Sequence, residues 1–549
     1  MKHLRKLLFA LMLLTLLLNA CAQGKTEQAA PTEAAPAEAT SAEDVPAEAA
    51  APITLQVFVD TGEEDAAFVT ESRLTKYMED RFNVKFDFVT GTTAESLTLM
   101  LASGDYPKLI YKSWYNMLEV VNYGELGVFV PLEDYITKYA PNVTKAFDEN
   151  PNLKDAVYAP DGHIYMMPFW EECYHCSMAM KMWINTDWLK AVGMEMPTTT
   201  DEFEKVLIAF RDKDPNGNGQ KDEIPLTGFI QSWNGDPWGF LMNSFMYNTG
   251  TGSDYTYIDG DKVAFAPTQP EWKEGLKYLK SLYEQGLYDP QAFTQSADQF
   301  KNLALGEEEV VGTYAAGHLG MGVDPWVNLE RANKYEPVPP LNGPAGVQLT
   351  PYWPNRGMDG SFAITNKATE EEAIAFMELL NWHYSQEGSV SSWFGPIEEG
   401  WTWASAGDLG IDGSPAIWKV LESSSADIQT DLTWEPIFYM PEKLFLGWAS
   451  SQDIYTTDGY ERRLYLATKD YYEPYKPEHI PPTGMYMTSE DSDTYSRLVV
   501  SIQSQVETNT AAFITGEKDI DEEWDAYVAG FEDLQLDEYL AILQKYYKP

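Results

Sequence analysis

The chain has 549 residues, more than three times the roughly 150 of a typical domain, so two or more sizeable cores are expected and a small stapled scaffold is excluded. Hydrophobic residues make up 44%, with 38 Gly and 33 Pro, which excludes a collagen, a coiled coil or a chain disordered throughout. Lys and Arg number 38 against 85 Asp and Glu, a formal charge of −47 that repels phosphate backbones and anionic lipid heads, so nucleic acid is excluded as a partner. Three cysteines cannot form a disulfide framework, and six scattered histidines do not suggest a histidine-based metal centre.

The N-terminus carries Lys2, Arg5 and Lys6 ahead of an apolar run from Leu7 to Leu18, the layout of a secretory signal. Twelve apolar residues rise about 18 Å as a helix, short of a hydrocarbon core of roughly 30 Å. The run ends in Leu18-Asn19-Ala20-Cys21, which resembles a bacterial lipoprotein box; the resemblance implies that residues 1–20 are removed and that Cys21 is lipidated. Residues 21–52 are rich in Ala, Glu, Pro and Thr, bury too little apolar area to order themselves, and read as a tether holding the folded body off the outer face of the cell membrane.

The first ordered element is the β-branched run Ile53 to Val59, a strand closed by Asp60-Thr61-Gly62. Helical periodicity follows over Glu71 to Phe82, then a strand over Val84 to Val89 and a helix over 94–103. Strand alternating with helix in units of about thirty residues predicts an α/β lobe with a mostly parallel sheet. Further on, Thr369 and Glu372 have capping-box spacing ahead of Ala373, Phe376, Met377, Leu380 and Tyr384 on one helix face. Trp524, Tyr527, Val528 and Phe531 repeat the spacing near the C-terminus.

Three motifs in order, Leu101-Ala102-Ser103-Gly104-Asp105-Tyr106-Pro107, Gly127 to Ile136 and Asp161 to Pro168, resemble family 1 extracellular solute-binding proteins of ABC importers. Ile184 to Leu189, Pro197-Thr198-Thr199, Pro339-Pro340-Leu341 and Phe513 to Glu517 continue the likeness, and the last of these resemble the long subfamily that includes the alginate-binding proteins. Lys108 departs from the family, which commonly has Asp after the proline. The resemblance implies an α/β, two-lobed periplasmic-binding-protein-like fold with a ligand cleft between the lobes. It places 53–165 and 362–400 in the N-terminal lobe, and 166–361 and 401–549 in the C-terminal lobe.

The sharpest local signal is Asp212 to Glu223, where oxygen-bearing side chains alternate with glycines, as wrapping a calcium ion requires. Counted from Asp212 the run fits an EF-hand loop. Counted from Asp214 it resembles the calcium loop of the alginate-binding proteins, with Asp214, Asn216, Asn218, the Gln220 carbonyl, Asp222 and Glu223 as ligands. Pro225 opposes the exit helix of an EF-hand, so the second frame is preferred and calcium is expected as a structural cofactor.

Aromatic residues reach 13%, and sugar rings stack their C–H faces on flat aromatic surfaces while amides and carboxylates bind the hydroxyls. Clusters in which aromatics sit among polar residues are therefore expected to supply cleft residues: Lys112, Trp114 and Asn116; Trp170 and Glu171; Trp233, Asn234 and Trp238; Tyr352 and Trp353; and Trp393. Cys173-Tyr174-His175-Cys176 has redox or half-zinc spacing without a second pair, which favours a small disulfide or two free thiols. The function expected is that of a monomeric, non-catalytic lipoprotein that captures an oligosaccharide and delivers it to ABC permease subunits. The alternatives are a secreted glycoside hydrolase, which would need two carboxyl groups roughly 5–10 Å apart, and a surface glycan adhesin.

Overall fold

The computed structural model describes residues 51–61, 66–91, 94–113, 117–230, 232–354, 360–421, 431–436, 439–482 and 486–548. The signal, Cys21 and nearly all of the tether lie outside the described residues. No helix among those described is long and apolar enough to cross a membrane.

The strand Ile53–Asp60 forms as the alternation of Leu55, Val57 and Val59 predicts, and pairs in parallel with Val84–Gly91 on one side and Leu109–Lys112 on the other. The expected helix over 71–82 forms as Arg73–Phe82, and a separate short helix, Ala66–Glu71, precedes it. Ser72 separates them: its Oγ accepts the Thr75 N–H at 3.1 Å, and an N-cap of that kind ends one helix and begins the next. The sheet is mixed, because Gly360–Ile364 returns from far along the chain and runs antiparallel to both Leu109–Lys112 and Met167–Pro168. All five residues of that returning strand are buried.

Behind the sheet lies the helix Glu370–His383, whose capping box forms as expected. Lys108 has a local explanation here: its Nζ meets Glu372 Oε1 at 2.7 Å, so the cation ties the start of strand Leu109–Lys112 to the start of this helix. The second sheet is small and antiparallel, ordered Tyr335–Pro337, Met182–Asn185, Thr313–Ala315. Its core takes in helices Thr200–Asp212, Pro270–Glu284, Ser489–Thr515 and Ile520–Asp533, through side chains such as Phe203, Trp272, Ile502 and Phe531.

Of the chain that the resemblance assigns to the C-terminal lobe, Met167, Trp170, Trp434 and Tyr439 pack in the first core. The Arg73 and Leu74 amides donate to the carbonyls of Asp431 and Leu432 at 2.8 and 3.0 Å, and Trp434 Nε1 donates to Thr75 Oγ1 at 2.9 Å. The indole fills the space beside Tyr111 with ring centroids 5.3 Å apart, a large apolar burial that no local pattern announces.

Candidate ligand cleft

A cleft of about 740 Å³ opens where the chain passes from the first sheet to the second. One wall grows from the segment just after Met167–Pro168: Phe169, Glu171, Cys173, His175 and Cys176. A second is an aromatic assembly from residues 393–448, in which Trp393 stacks on Phe445 at 5.9 Å between centroids and meets Trp448 edge to face at 6.0 Å. Trp448 in turn stacks on the fully buried Trp418 at 5.1 Å, so the partly open rings are braced from behind. The third wall carries Trp233, His318, Trp326 and Tyr460.

Hydrogen bonds fix the orientation of these rings. Tyr460 Oη lies 2.8 Å from His318 Nδ1 and accepts the Gly320 N–H at 2.8 Å, while its ring stands edge to face on Trp326. His175 Nε2 is 3.2 Å from Glu461 Oε2. The Cys173 and Cys176 sulfurs form a disulfide, one of the two forms the spacing favoured. Described lining residues include the carboxylates of Glu171, Asp408, Glu435, Asp458 and Glu461, against the single amine of Lys419, which already sits 3.4 Å from Asp408. Burial raises the Glu435 carboxyl above its ordinary range, and the nearby Lys112 ammonium only partly opposes this. Flat apolar rings beside hydroxyl-accepting carboxylates make a surface suited to a polyhydroxylated ligand.

Among the residues singled out from the sequence, Glu171, Trp233 and Trp393 line this cleft. Trp114 and Asn116 lie outside the described residues. Trp170 and Trp238 are corrected to core positions: Trp170 is fully buried with its indole N–H on Glu172, and Trp238 packs between Tyr255 and Trp272. Lys112 donates to the Trp434 carbonyl at 2.7 Å and is not among the lining residues. Tyr352 and Trp353 pack partly on the second core, with the Lys476 ammonium 5.0 Å from the Tyr352 ring. Asn234 holds a left-handed turn at φ 54° beside Trp233 without reaching the lining. The residues that sequence reasoning missed, His318, Trp326, Glu435, Phe445, Trp448 and Tyr460, come from segments far apart in the chain, and no local pattern around them marks a cleft residue.

The acidic loop after helix Thr200–Asp212 folds around its own side chains. Asp214 takes a left-handed φ of 48°, and Gly217 and Gly219 follow at 69° and 77°. Asp214 Oδ2 accepts the Gly219 N–H at 3.1 Å, and Asp222 accepts the Asn216 and Asn218 amides at 3.0–3.2 Å. Asp214 Oδ1 and Glu223 Oε1 are buried with no hydrogen-bond partner. Burial raises the Glu223 carboxyl, and the carboxylates of Asp222 and Asp214 raise it further. Buried, partnerless carboxylate oxygens crowded by like charge fit a hard cation. Asp212 is held outside this group by Arg211, which grips both its oxygens at 2.8 and 3.0 Å. Ile224 then bridges in parallel to Val311 instead of entering a helix. Both observations favour the frame counted from Asp214.

Comparison with known proteins agrees with this architecture. The model of the family described as bacterial extracellular solute-binding protein matches residues 60–388. The chain is 32% identical over 484 residues to the fructooligosaccharide ABC transporter substrate-binding protein FusA of Streptococcus pneumoniae, covering 85% of this chain and 84% of FusA. It is 26% identical over 325 residues to the lipoprotein LipO of Bacillus subtilis, covering 57% of this chain and 58% of LipO. FusA in complex with kestose superposes with a TM-score of 0.75 at 28% identity, and an EF-hand mutant of FusA bound to fructo-nystose with 0.73 at 28%, each covering 90% of this chain and 98% of the other. Alginate-binding protein AlgQ2 without calcium ion shares the fold, with a TM-score of 0.66 at 22% identity over 90% of this chain and 98% of AlgQ2. With its mixed first sheet, antiparallel second sheet and intervening aromatic cleft, the chain belongs to the bacterial extracellular solute-binding protein family and has that family's two-lobed α/β fold.

Proposed function

We propose that this protein captures an uncharged oligosaccharide in the cleft between Trp233 and Trp393 and delivers it, uncleaved, to the permease subunits of an ABC importer. The observation that carries the reading is the union in one cleft of braced aromatic rings and, among the described residues, five carboxylates with one amine that is itself paired. The likeness to FusA, a fructooligosaccharide-binding protein, supports it. A uronate polymer would bring its charges against these carboxylates. Each like-charge pair 5 Å apart costs about 0.8 kcal/mol in water and several-fold more where solvent is excluded. Neutral fructo- and gluco-oligosaccharides meet no such penalty.

The test is calorimetric titration of the purified body with neutral oligosaccharides and with oligogalacturonate, followed by chromatography of the sugar after long incubation. Binding of a neutral sugar, recovered intact, is the expected result. Tighter binding of the uronate overturns the assigned ligand class, and accumulation of shorter products revives the hydrolase reading.

Placement outside the membrane follows from the signal over 1–20, with Cys21 as the lipidated residue and 21–52 as the tether; the likeness to the lipoprotein LipO supports it. The N-terminal lobe takes 53–165 and 362–400, extended by Met167–Pro168, Trp170, Gly360 and Ser361 and by the described residues of 431–440, and closure of the two lobes on the sugar is the step that presents it to the permease. Asp214, Asn216, Asn218, the Gln220 carbonyl, Asp222 and Glu223 would hold a calcium ion, whose charge offsets three crowded carboxylates and stiffens the loop. The partnerless oxygens of Asp214 and Glu223 support this reading, as does the existence of an EF-hand mutant of FusA.

A further inference from the structure

The turn Cys173-Tyr174-His175-Cys176 lies on the passage from the first sheet to the second, and its two cysteines and its histidine face the cleft. Among the described residues these three form a group whose ligand atoms all lie within 4.8 Å of one another. Cys176 Sγ is 3.8 Å from both ring nitrogens of His175, and Glu461 Oε2 lies 3.2 Å from Nε2. A disulfide that closes so short a ring removes less chain entropy from the unfolded state than one that joins distant segments.

Contacts that do not involve sulfur hold the turn. The buried Lys181 ammonium donates to the carbonyls of His175 and Met178, Ser177 Oγ donates to the Tyr174 carbonyl at 2.7 Å, and Tyr174 Oη donates to Glu473 at 2.7 Å. Reduction of the disulfide therefore leaves two thiols and an imidazole in place together. The surrounding Glu171, Asp458 and Glu461 give the same cleft a field that favours cations.

We propose that Cys173, His175 and Cys176 form a binding site for a thiophilic divalent cation such as zinc when the disulfide is reduced, with the disulfide as the site's closed, metal-free form. A dithiol reductant outside the cell supplies the two electrons: it becomes a disulfide while each cysteine gains one proton. The metal then displaces those two protons as both thiolates coordinate. Glu461 orients His175 by accepting one ring N–H, which directs the other nitrogen to the metal. Three protein ligands leave the fourth position of a tetrahedral ion for water or a sugar hydroxyl.

Cobalt(II) serves as the probe, with saturating calcium in every arm so that the acidic loop does not compete. Titration of the reduced wild-type protein should give one equivalent of tetrahedral absorption with a thiolate charge-transfer band, displaced by zinc. The oxidised wild type needs no mutation and should give neither band, and Cys176→Ser should bind at least a hundred-fold more weakly. If the reduced wild type shows no more cobalt absorption than the oxidised protein, the site does not exist. If Cys176→Ser retains the full band, the metal lies elsewhere.

Discussion

Gly317 donates its amide N–H to the carbonyl of Trp233 at 3.0 Å, and a Cβ added to it would stand 2.3 Å from the Trp233 ring. The glycine thus lets a cleft tryptophan lie directly on the backbone that follows strand Thr313–Ala315. Gly317→Ala must push the indole off this seat. Its expected effect is on affinity: calorimetry should show oligosaccharide binding weakened about ten-fold, the equivalent of roughly 1.4 kcal/mol. The melting temperature should fall by only a few degrees. Unchanged affinity in a folded variant would remove Trp233 from the ligand surface.

Two tryptophans with similar polar sequence neighbours meet opposite fates, and the contrast is testable. Trp170 is fully buried in the first core, whereas Trp393 keeps a partly open face on the cleft. Trp170→Ala should cost about 3–5 kcal/mol of unfolding free energy in denaturant melts. Trp393→Ala should cost less and weaken sugar binding about ten-fold. The reverse ranking would mean that the cleft wall has been assigned to the wrong ring.

This contrast also marks where sequence reading stops. The strand Ile53–Asp60, the helix Ala94–Ser103 and the Thr369–Glu372 capping box were legible because alternation, period and cap chemistry are local. A tryptophan among polar residues carries no such signal about which way it faces. Trp170 sits on a two-residue strand whose partner, Tyr439–Met440, arrives from some 270 residues away, and that pairing turns the ring inward. Trp448, Tyr460 and Glu435 reach the cleft through the same long-range return, so no window around them could have placed them.

Asp236, next to the core residue Trp238, accepts the Thr251 hydroxyl at 2.7 Å, yet burial raises its carboxyl to about 6, with Glu507 adding to the shift. A carboxyl raised in the folded state binds more protons there than in the unfolded chain. Its contribution is therefore most favourable below about pH 4 and is lost as pH rises through about 6. The loss amounts to at most about 3 kcal/mol. Asp236→Asn should accordingly be more stable than wild type at pH 8 and close to it at pH 4, compared by denaturant melts at each pH. Equal destabilisation at both would show that the hydrogen bond to Thr251 outweighs the buried charge.

The acidic loop gives a prediction whose sign inverts with metal. Without a cation, Asp214, Asp222 and Glu223 repel one another, and the Glu223 carboxyl is raised by burial first and then by its two neighbours. Glu223→Gln should therefore stabilise the metal-free protein at pH 7, since it removes a charge that the fold disfavours. In calcium the same substitution removes a ligand and should destabilise. Occupancy at a thousand times the dissociation constant adds about 4 kcal/mol to the wild type, which is the response the variant should largely lose. Because these residues would bind calcium only as carboxylates, acidification toward the raised Glu223 range should shrink the wild-type response. Melting curves with excess chelator, with calcium and with magnesium at pH 7 and pH 5 measure all of these effects. A Glu223→Gln protein that is less stable than wild type by the same amount with and without calcium would show that Glu223 supports the loop only by packing.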